Sequence, residues 1–443
     1  MMKRTFKMSA VALVLGAGAV LSAPAALAQS APVVCPGYEK GKTTLVGERT
    51  GKKVQKAFEF YNEDQVNEAL NVLYEIDPSD DFDRAYVKRF IGNLLAAQEG
   101  QGGKALNYLV ESVEPKVLND LEHSQTLKLL GDLSMQEEKY TDAIKWYNEW
   151  MDFTCKEDAD VYTRLAQAYF ESKQLAKMVE PADKAIALYE EPNKNPYVLK
   201  LTSYYERKMY PETVAVAEDL VRTFPQEKTW WSRLGFFYIL VEDYKKGLST
   251  LELAYMQGYL EKESEIKTLA QLYQSNGMPY KAAKLLEKHM KEGLLKNDAD
   301  MIANVANAYH QAKNFKTAAN LYAQAAAKSS DPEHYRKQGT LLLVAEDYKG
   351  AIKALQNALD RGAENPEKIH FTLMEANFYA GNFKSAYKHV QEAKKDRSLR
   401  RNAAAWEPYI KEKAKNRGIT VSYTHLRAHE TEAELVCRLL LEK

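Results

Sequence analysis

Two stretches of this chain, WSRLGFFYILVEDYKKGLSTLELA (Trp231 to Ala254) and IANVANAYHQAKNFKTAANLYAQA (Ile302 to Ala325), can be laid over one another residue type by residue type. In each, a large apolar residue is followed three later by Leu or Val, then at once by Gly or Ala, then three on by Tyr. An aromatic stands nine residues after that small residue, and a second small residue twelve after it. Apolar side chains three and four apart share one face of a helix, and small residues at fixed points on two such faces let the helices approach closely. The spacing predicts two amphipathic helices joined by a tight turn.

Ten such units can be registered on the first small position: Ala57, Asn93, Gly131, Ala166, Thr202, Gly235, Ala270, Ala306, Gly339 and Met374, at intervals of 33 to 38 residues. The second small position is met by Ala69, Ala105, Ala143, Gly247, Ala282, Ala318, Ala351 and Ala386, while Met178 and Val214 depart from it. Tyr169, Tyr205, Tyr238, Tyr273 and Tyr309 stand three residues after the anchor and contribute to a tyrosine excess of 28 against 14 phenylalanines. One helix pair cannot bury its apolar face alone, so stacked neighbours must supply the core.

Trp231-x-x-Leu234-Gly235-x-x-Tyr238 matches the W-x-x-L-G-x-x-Y signature of the tetratricopeptide repeat (TPR). On these residues the chain resembles a TPR protein over residues 51–398. The resemblance implies an all-α fold, a superhelix (α-solenoid) of about ten helix-turn-helix repeats, with a concave groove that takes a protein or peptide ligand. Residues 399–420, with Trp406, Tyr409 and Ile410 among many charges, read as a solvating C-terminal cap helix ended by Gly418.

The ends read differently. Residues 1–28 carry Lys3, Arg4 and Lys7, an apolar run from Val11 to Leu21, and Ala26-Leu27-Ala28 before Gln29, the order of a cleaved export signal. That reading places the mature chain in the periplasm, with an extended segment at 29–50 and no integral membrane segment after the signal. Cys35 and Cys155 are then a disulfide candidate, since oxidising compartments favour bridges; the alternative is two free thiols. At 421–443, His425, His429 and Cys437 have the spacing of a helical zinc triad. The same tail, with VSYTHLRAHET and LVCRLLLEK, resembles a translated sequencing-library adapter. On that reading it is not native and is set aside.

Chemistry is otherwise sparse. The chain holds 61 basic and 61 acidic residues, so no net charge steers it to nucleic acid. No HExxH, GxSxG or GxxxxGK motif is present, and the remaining histidines, His123, His289, His310, His334, His370 and His389, read as lying in different repeats. Neither an enzyme nor a cofactor is expected. First-helix positions around the anchors offer a partner-binding groove of polar donors: Lys267 and Gln271, then Asn304, Asn307 and His310, then Arg336 and Lys337. They resemble in part the carboxylate clamp of chaperone-binding TPR domains, but Gln271 and Glu333 stand where asparagine and lysine belong. Phe236, Ile239, Leu240, Phe371, Phe378 and Tyr379 are candidates for apolar groove patches.

The expected function is a periplasmic, non-catalytic protein-protein interaction scaffold. The whole-chain pattern resembles periplasmic TPR proteins found beside TonB, ExbB and ExbD in gammaproteobacteria, which implies a partner in that energy-transduction complex. The alternatives are an assembly factor for outer-membrane proteins, pili or envelope polysaccharide, and a metalloprotein using the C-terminal His/Cys cluster.

Overall fold

The computed structural model describes residues 32–421, and among these there are 21 α-helices and no strand. The export-signal segment at 1–28 and the tail residues His425, His429 and Cys437 lie outside the described residues. The chain divides into two compact bodies.

The first body runs to Ser203. It pairs α1 (Glu48–Asn62) with α2 (Val66–Tyr74), α3 (Asp81–Ala96) with α4 (Gly102–Val113), α5 (Asp120–Gln136) with α6 (Tyr140–Thr154), and α7 (Ala159–Glu171) with α8 (Val179–Leu188), and includes most of α9 (Lys194–Glu206). The second body begins at Tyr204 and holds α10 (Tyr210–Thr223). There follow the pairs α11 (Lys228–Leu240) and α12 (Tyr244–Met256), α13 (Glu263–Ser275) and α14 (Pro279–Lys291), and α15 (Ala299–Gln311) and α16 (Phe315–Ser329). Next come α17 (Pro332–Val344) and α18 (Tyr348–Asp360), α19 (Pro366–Tyr379) and α20 (Phe383–Ala393), and the single helix α21 (Arg400–Lys415). The fold is an all-α solenoid of the TPR type, ten helix hairpins and a terminal helix. The first helix, α1, begins at Glu48, ahead of the array boundary read at residue 51.

Each hairpin turn contains a residue with positive φ: Asp64, Gly100, Glu138, Lys173, Lys208, Glu242, Gly277, Lys313, Glu346 and Gly381. In nine of the ten turns the next N–H bonds to the carbonyl five residues back, as Asp243 does to Tyr238 (2.8 Å) and Asn314 to Tyr309 (2.9 Å). This is the Schellman closure, which satisfies carbonyls left over at the end of a helix. The residue that closes one helix also opens the next. Asp243 Oδ1 accepts from Lys246 N–H and Asp347 Oδ1 from Gly350 N–H, both at 3.0 Å.

These turns correct the register of two units. Counting back seven residues from the positive-φ position returns the anchors already read in nine units, but gives Leu201 instead of Thr202. Leu201 is buried, Tyr204 rather than Tyr205 supplies the closing carbonyl, and the fully buried Thr213 replaces Val214 at the second small position. Tyr210 then takes the aromatic position. With no Gly or Ala at the crossing, composition alone had nothing to mark it. In the α3–α4 unit the close approach is at Gly92, not Asn93. A Cβ on Gly92 would lie 2.6 Å from Leu109, just as one on Gly235 would lie 2.5 Å from Leu251 and one on Gly339 2.5 Å from Leu355. Here the turn spans residues 97–101 and lacks the closing bond found elsewhere, so one added residue shifts the anchor.

Irregular backbone leads into the first body and lies along its helices. Val33 is buried, Val34 N–H bonds to Thr154 O at 2.8 Å, and Cys35 is disulfide-bonded to Cys155 with their Cα atoms 4.9 Å apart. Farther on, Tyr38 donates to Asp120, Thr44 exchanges two hydrogen bonds with Asn119, and Gly47 N–H bonds to the buried Asp83 at 2.9 Å. In the second body α21 buries Ala403, Ile410 and Ala414, and Gly418 follows it with positive φ while Ile419 N–H closes onto Ala414 O at 2.9 Å.

Candidate functional site

The repeated tyrosines turn inward. Three residues after the anchor, Tyr238, Tyr273 and Tyr309 are all buried, and each reaches a glutamate on the second helix of the preceding unit. Tyr238 OH donates to Glu218 and Tyr309 OH to Glu287 at 2.8 Å, while the charge of Glu252 acts on Tyr273. A lysine completes each junction: Lys246 lies 5.3 Å from the Tyr238 ring centre, Lys281 4.7 Å from that of Tyr273, and Lys284 5.9 Å from that of Tyr309. Burial first, then the neighbouring carboxylate, pushes the Tyr238 phenol well above its ordinary range, so it stays a hydrogen-bond donor. These tyrosines fasten unit to unit and are not groove residues.

The sequence candidates divide between surface and interior. Lys267 and Gln271 are exposed on α13, with Lys267 2.5 Å from Glu263 of its own helix. Asn304 and His310 are exposed on α15. Asn307 is half-buried, and its Oδ1 accepts the hydroxyl proton of Tyr322. Arg336 on α17 forks onto Glu333 through Nε at 2.7 Å and Nη2 at 2.5 Å, and Lys337 sits 5.5 Å from the Tyr322 ring centre. The structure thus gathers Asn307, Arg336 and Lys337 about Tyr322. It places Lys267 and Gln271 a unit earlier.

Tyr322 was not among the candidates, though its signal was present. It stands sixteen residues after Ala306, as Tyr147 stands after Gly131, and both donate to the residue following the anchor, Tyr147 to Asp132 at 2.7 Å. Burial and then Glu333 push the Tyr322 phenol up to about 12. Glu333 in turn is held below the usual carboxylate range by the hydrogen bonds from Arg336. A ligand carboxylate at Arg336 would therefore have to displace an ion pair already made, which weakens the likeness to a carboxylate clamp.

The apolar candidates are likewise split. Phe378 packs into the terminal helix, its ring centre 5.3 Å from Trp406 and 5.1 Å from Tyr409. Tyr379 stacks on Tyr348 at 5.5 Å and remains exposed, as does Leu240, while Phe236, Ile239 and Phe371 are half-buried.

The histidine reading needs a correction. His370 on α19 and His389 on α20 belong to one unit, and their Nδ1 atoms are 2.9 Å apart. Their positions flank the α19–α20 turn, which brings distant sequence positions face to face. Among the described residues no three His, Cys, Asp or Glu side chains gather where they could hold a metal, and no helix is long and apolar enough to cross a membrane.

No family model and no curated protein matches this chain. Several solved structures are similar to it. A TPR protein from Parabacteroides merdae is 13% identical over 57% of this chain and 98% of its own, with a TM-score of 0.33. The C-terminal part of a TPR repeat-containing protein from Cytophaga hutchinsonii is 14% identical over 55% and 98%, with a TM-score of 0.37. A structure of Naa15/Naa10 bound to HypK-THB is 14% identical over 83% and 68%, with a TM-score of 0.45. Likenesses of this order carry nothing about activity or partner, and the fold rests on the hairpins described above.

Proposed function

We propose that this chain is a non-catalytic protein-interaction scaffold, exported to the periplasm, that holds a protein or peptide through the first helices of its second body. The observation that carries the reading is the exposure of Lys267, Gln271, Asn304 and His310 on the first helices of two successive units, beside tyrosines committed to the unit junctions. Long polar side chains repeated along stacked helices can bond the backbone and polar ends of an extended segment. Export is supported by the signal-like order of residues 1–28 and by the Cys35–Cys155 bond, a linkage that persists in oxidising compartments. The partner is a component of a TonB/ExbB/ExbD energy-transduction complex, on the strength of the whole-chain resemblance.

A photo-crosslinking amino acid placed at Gln271 or Asn304 in cells tests the reading. Adducts with an energy-transduction component are expected at these positions and not at the buried Tyr273. Adducts with other envelope proteins alone would remove the TonB assignment, and no protein adduct at either position would remove the scaffold itself.

A further inference from the structure

The balance of 61 basic and 61 acidic residues hides a segregation along the chain. Residues 383–417 hold 11 basic and 4 acidic groups, whereas residues 32–382 hold 44 basic and 53 acidic. This stretch is α20, the connection after it and α21. Its acids are largely engaged: Glu392 pairs with Lys395 at 2.5 Å, Glu407 with Lys394 and with Lys411 at 2.9 Å, and Asp396 accepts from Ser398. Only Glu412 of the four is exposed. Helix α21 turns Ala403, Ile410 and Ala414 inward. Arg401, Pro408 and Lys415 stand seven apart on the opposite side, all exposed. Ala404 and Ala405 beside them are exposed too, so the basic side chains rise above a low, uncharged surface. On the flank Lys413 lies 5.4 Å from the ring centre of Tyr409.

We propose that this basic end of the second body is a docking surface for an anionic phospholipid bilayer. Charge complementarity selects an anionic partner, and the chemistry of the face selects the lipid. Interfaces between proteins centre on apolar and aromatic side chains and are depleted in lysine. Here the apolar side of α21 is already packed on its own body. What it turns outward is chiefly arginine, lysine and alanine, which suits mobile headgroups that can gather beneath fixed charges. Tyr409, 44% exposed at the flank, has the amphipathic ring that settles at headgroup level. The surface is separate from the first-helix residues proposed to hold a protein, so either reading stands without the other.

The chain from Gln29, as export would leave it, is sedimented with vesicles of phosphatidylcholine containing about one third phosphatidylglycerol at about 0.1 M salt. It should bind these and not vesicles of phosphatidylcholine alone, and raising the salt to about 1 M should release it. A Lys or Arg near an anionic bilayer contributes about fivefold in affinity, so Arg401→Gln with Lys415→Gln should weaken binding about 25-fold. Arg401→Lys keeps the charge and should bind as the parent does. Lys104→Gln with Lys139→Gln removes the same charge from exposed positions of the first body and should also leave binding unchanged. Equal losses in the two double variants, equal binding to uncharged vesicles, or binding that persists at the higher salt would overturn the proposal. So would tighter binding to soluble polyglutamate than to the vesicles at equal charge concentration, which would assign the face to an acidic protein segment.

Discussion

At one end of the described chain irregular backbone is stitched to the helices by a covalent bond; at the other a helix is held by charge and aromatic rings. Residues 32–47 meet the first body through Cys35–Cys155 and hydrogen bonds to Asp83, Asn119, Asp120 and Thr154. The terminal helix α21 meets the second body through Trp406 and Tyr409 against Phe378, and through Glu407, which pairs with Lys394 and with Lys411 at 2.9 Å. Only α21 lies against the last hairpin, where a repeat array leaves an open face; residues 32–47 run along the second and third units instead. They differ in what can undo them: a reductant for the first, acid for the second.

The largest test of that contrast is Cys35→Ser. The bond closes a loop with a sequence separation of 120, and losing such a bond typically costs about 2–5 kcal/mol. The loss should appear in urea unfolding followed at Trp146 and Trp150 of the first body, with faster amide exchange at Val34, Thr44 and Gly47. An equal loss in the second body would break the contrast.

Next come Gly131→Ala and Gly339→Ala, one in each body. The added carbon would meet the Tyr147 ring or Leu355 at 2.5 Å, and overpacking of this kind costs about 1–3 kcal/mol. Similar losses in both would show that the hairpin crossings are alike where the ends are not. Gly247→Ala, whose nearest contacts would be at 3.3 Å, should cost much less.

Acid should act on α21 through Glu407. Burial opposes the charge of Glu407, but the hydrogen bonds from Lys394 and Lys411 prevail and hold its carboxyl at about 2. A carboxyl lowered on folding contributes stability above its unfolded value of about 4.3, and that contribution fades as pH falls toward the folded value. Trp406 fluorescence should therefore report loosening between about pH 4.3 and about pH 2. Glu407→Gln should cost about 1 kcal/mol at pH 7 and flatten the pH response. Smallest is Lys313→Gly, which relieves a positive φ of 58° and should stabilise by roughly 0.5–1 kcal/mol in thermal unfolding.

The helices were readable where chemistry left one choice. Gly131, Gly235 and Gly339 mark crossings too tight for a Cβ, and counting from them placed most of the array. Counting failed where the mark was absent, at Leu201, or displaced by a longer turn, at Gly92. Partners were harder to read than positions. Asn307 and Arg336 sit at groove positions of their helices, yet Tyr322 and Glu333 occupy them; Tyr322 belongs to a second helix, which no pattern confined to first helices contains, whereas Glu333 stands three residues before Arg336 on the same helix. The Tyr–Glu–Lys junctions escaped for a related reason, since Glu218 and Glu287 belong to the unit before the tyrosine they bind. His370 and His389 look unrelated until the α19–α20 hairpin folds them together.

The Cys35–Cys155 bond also imposes an order in time. A chain made from its N-terminus presents Cys35 long before its mate exists, and at about 5–20 residues per second the wait over 120 positions is on the order of ten seconds. During it the first thiol must stay uncommitted while α1 to α6 are being completed. Any oxidant that acts sooner finds only Cys35, so correct linkage records that the first three hairpins were already in hand.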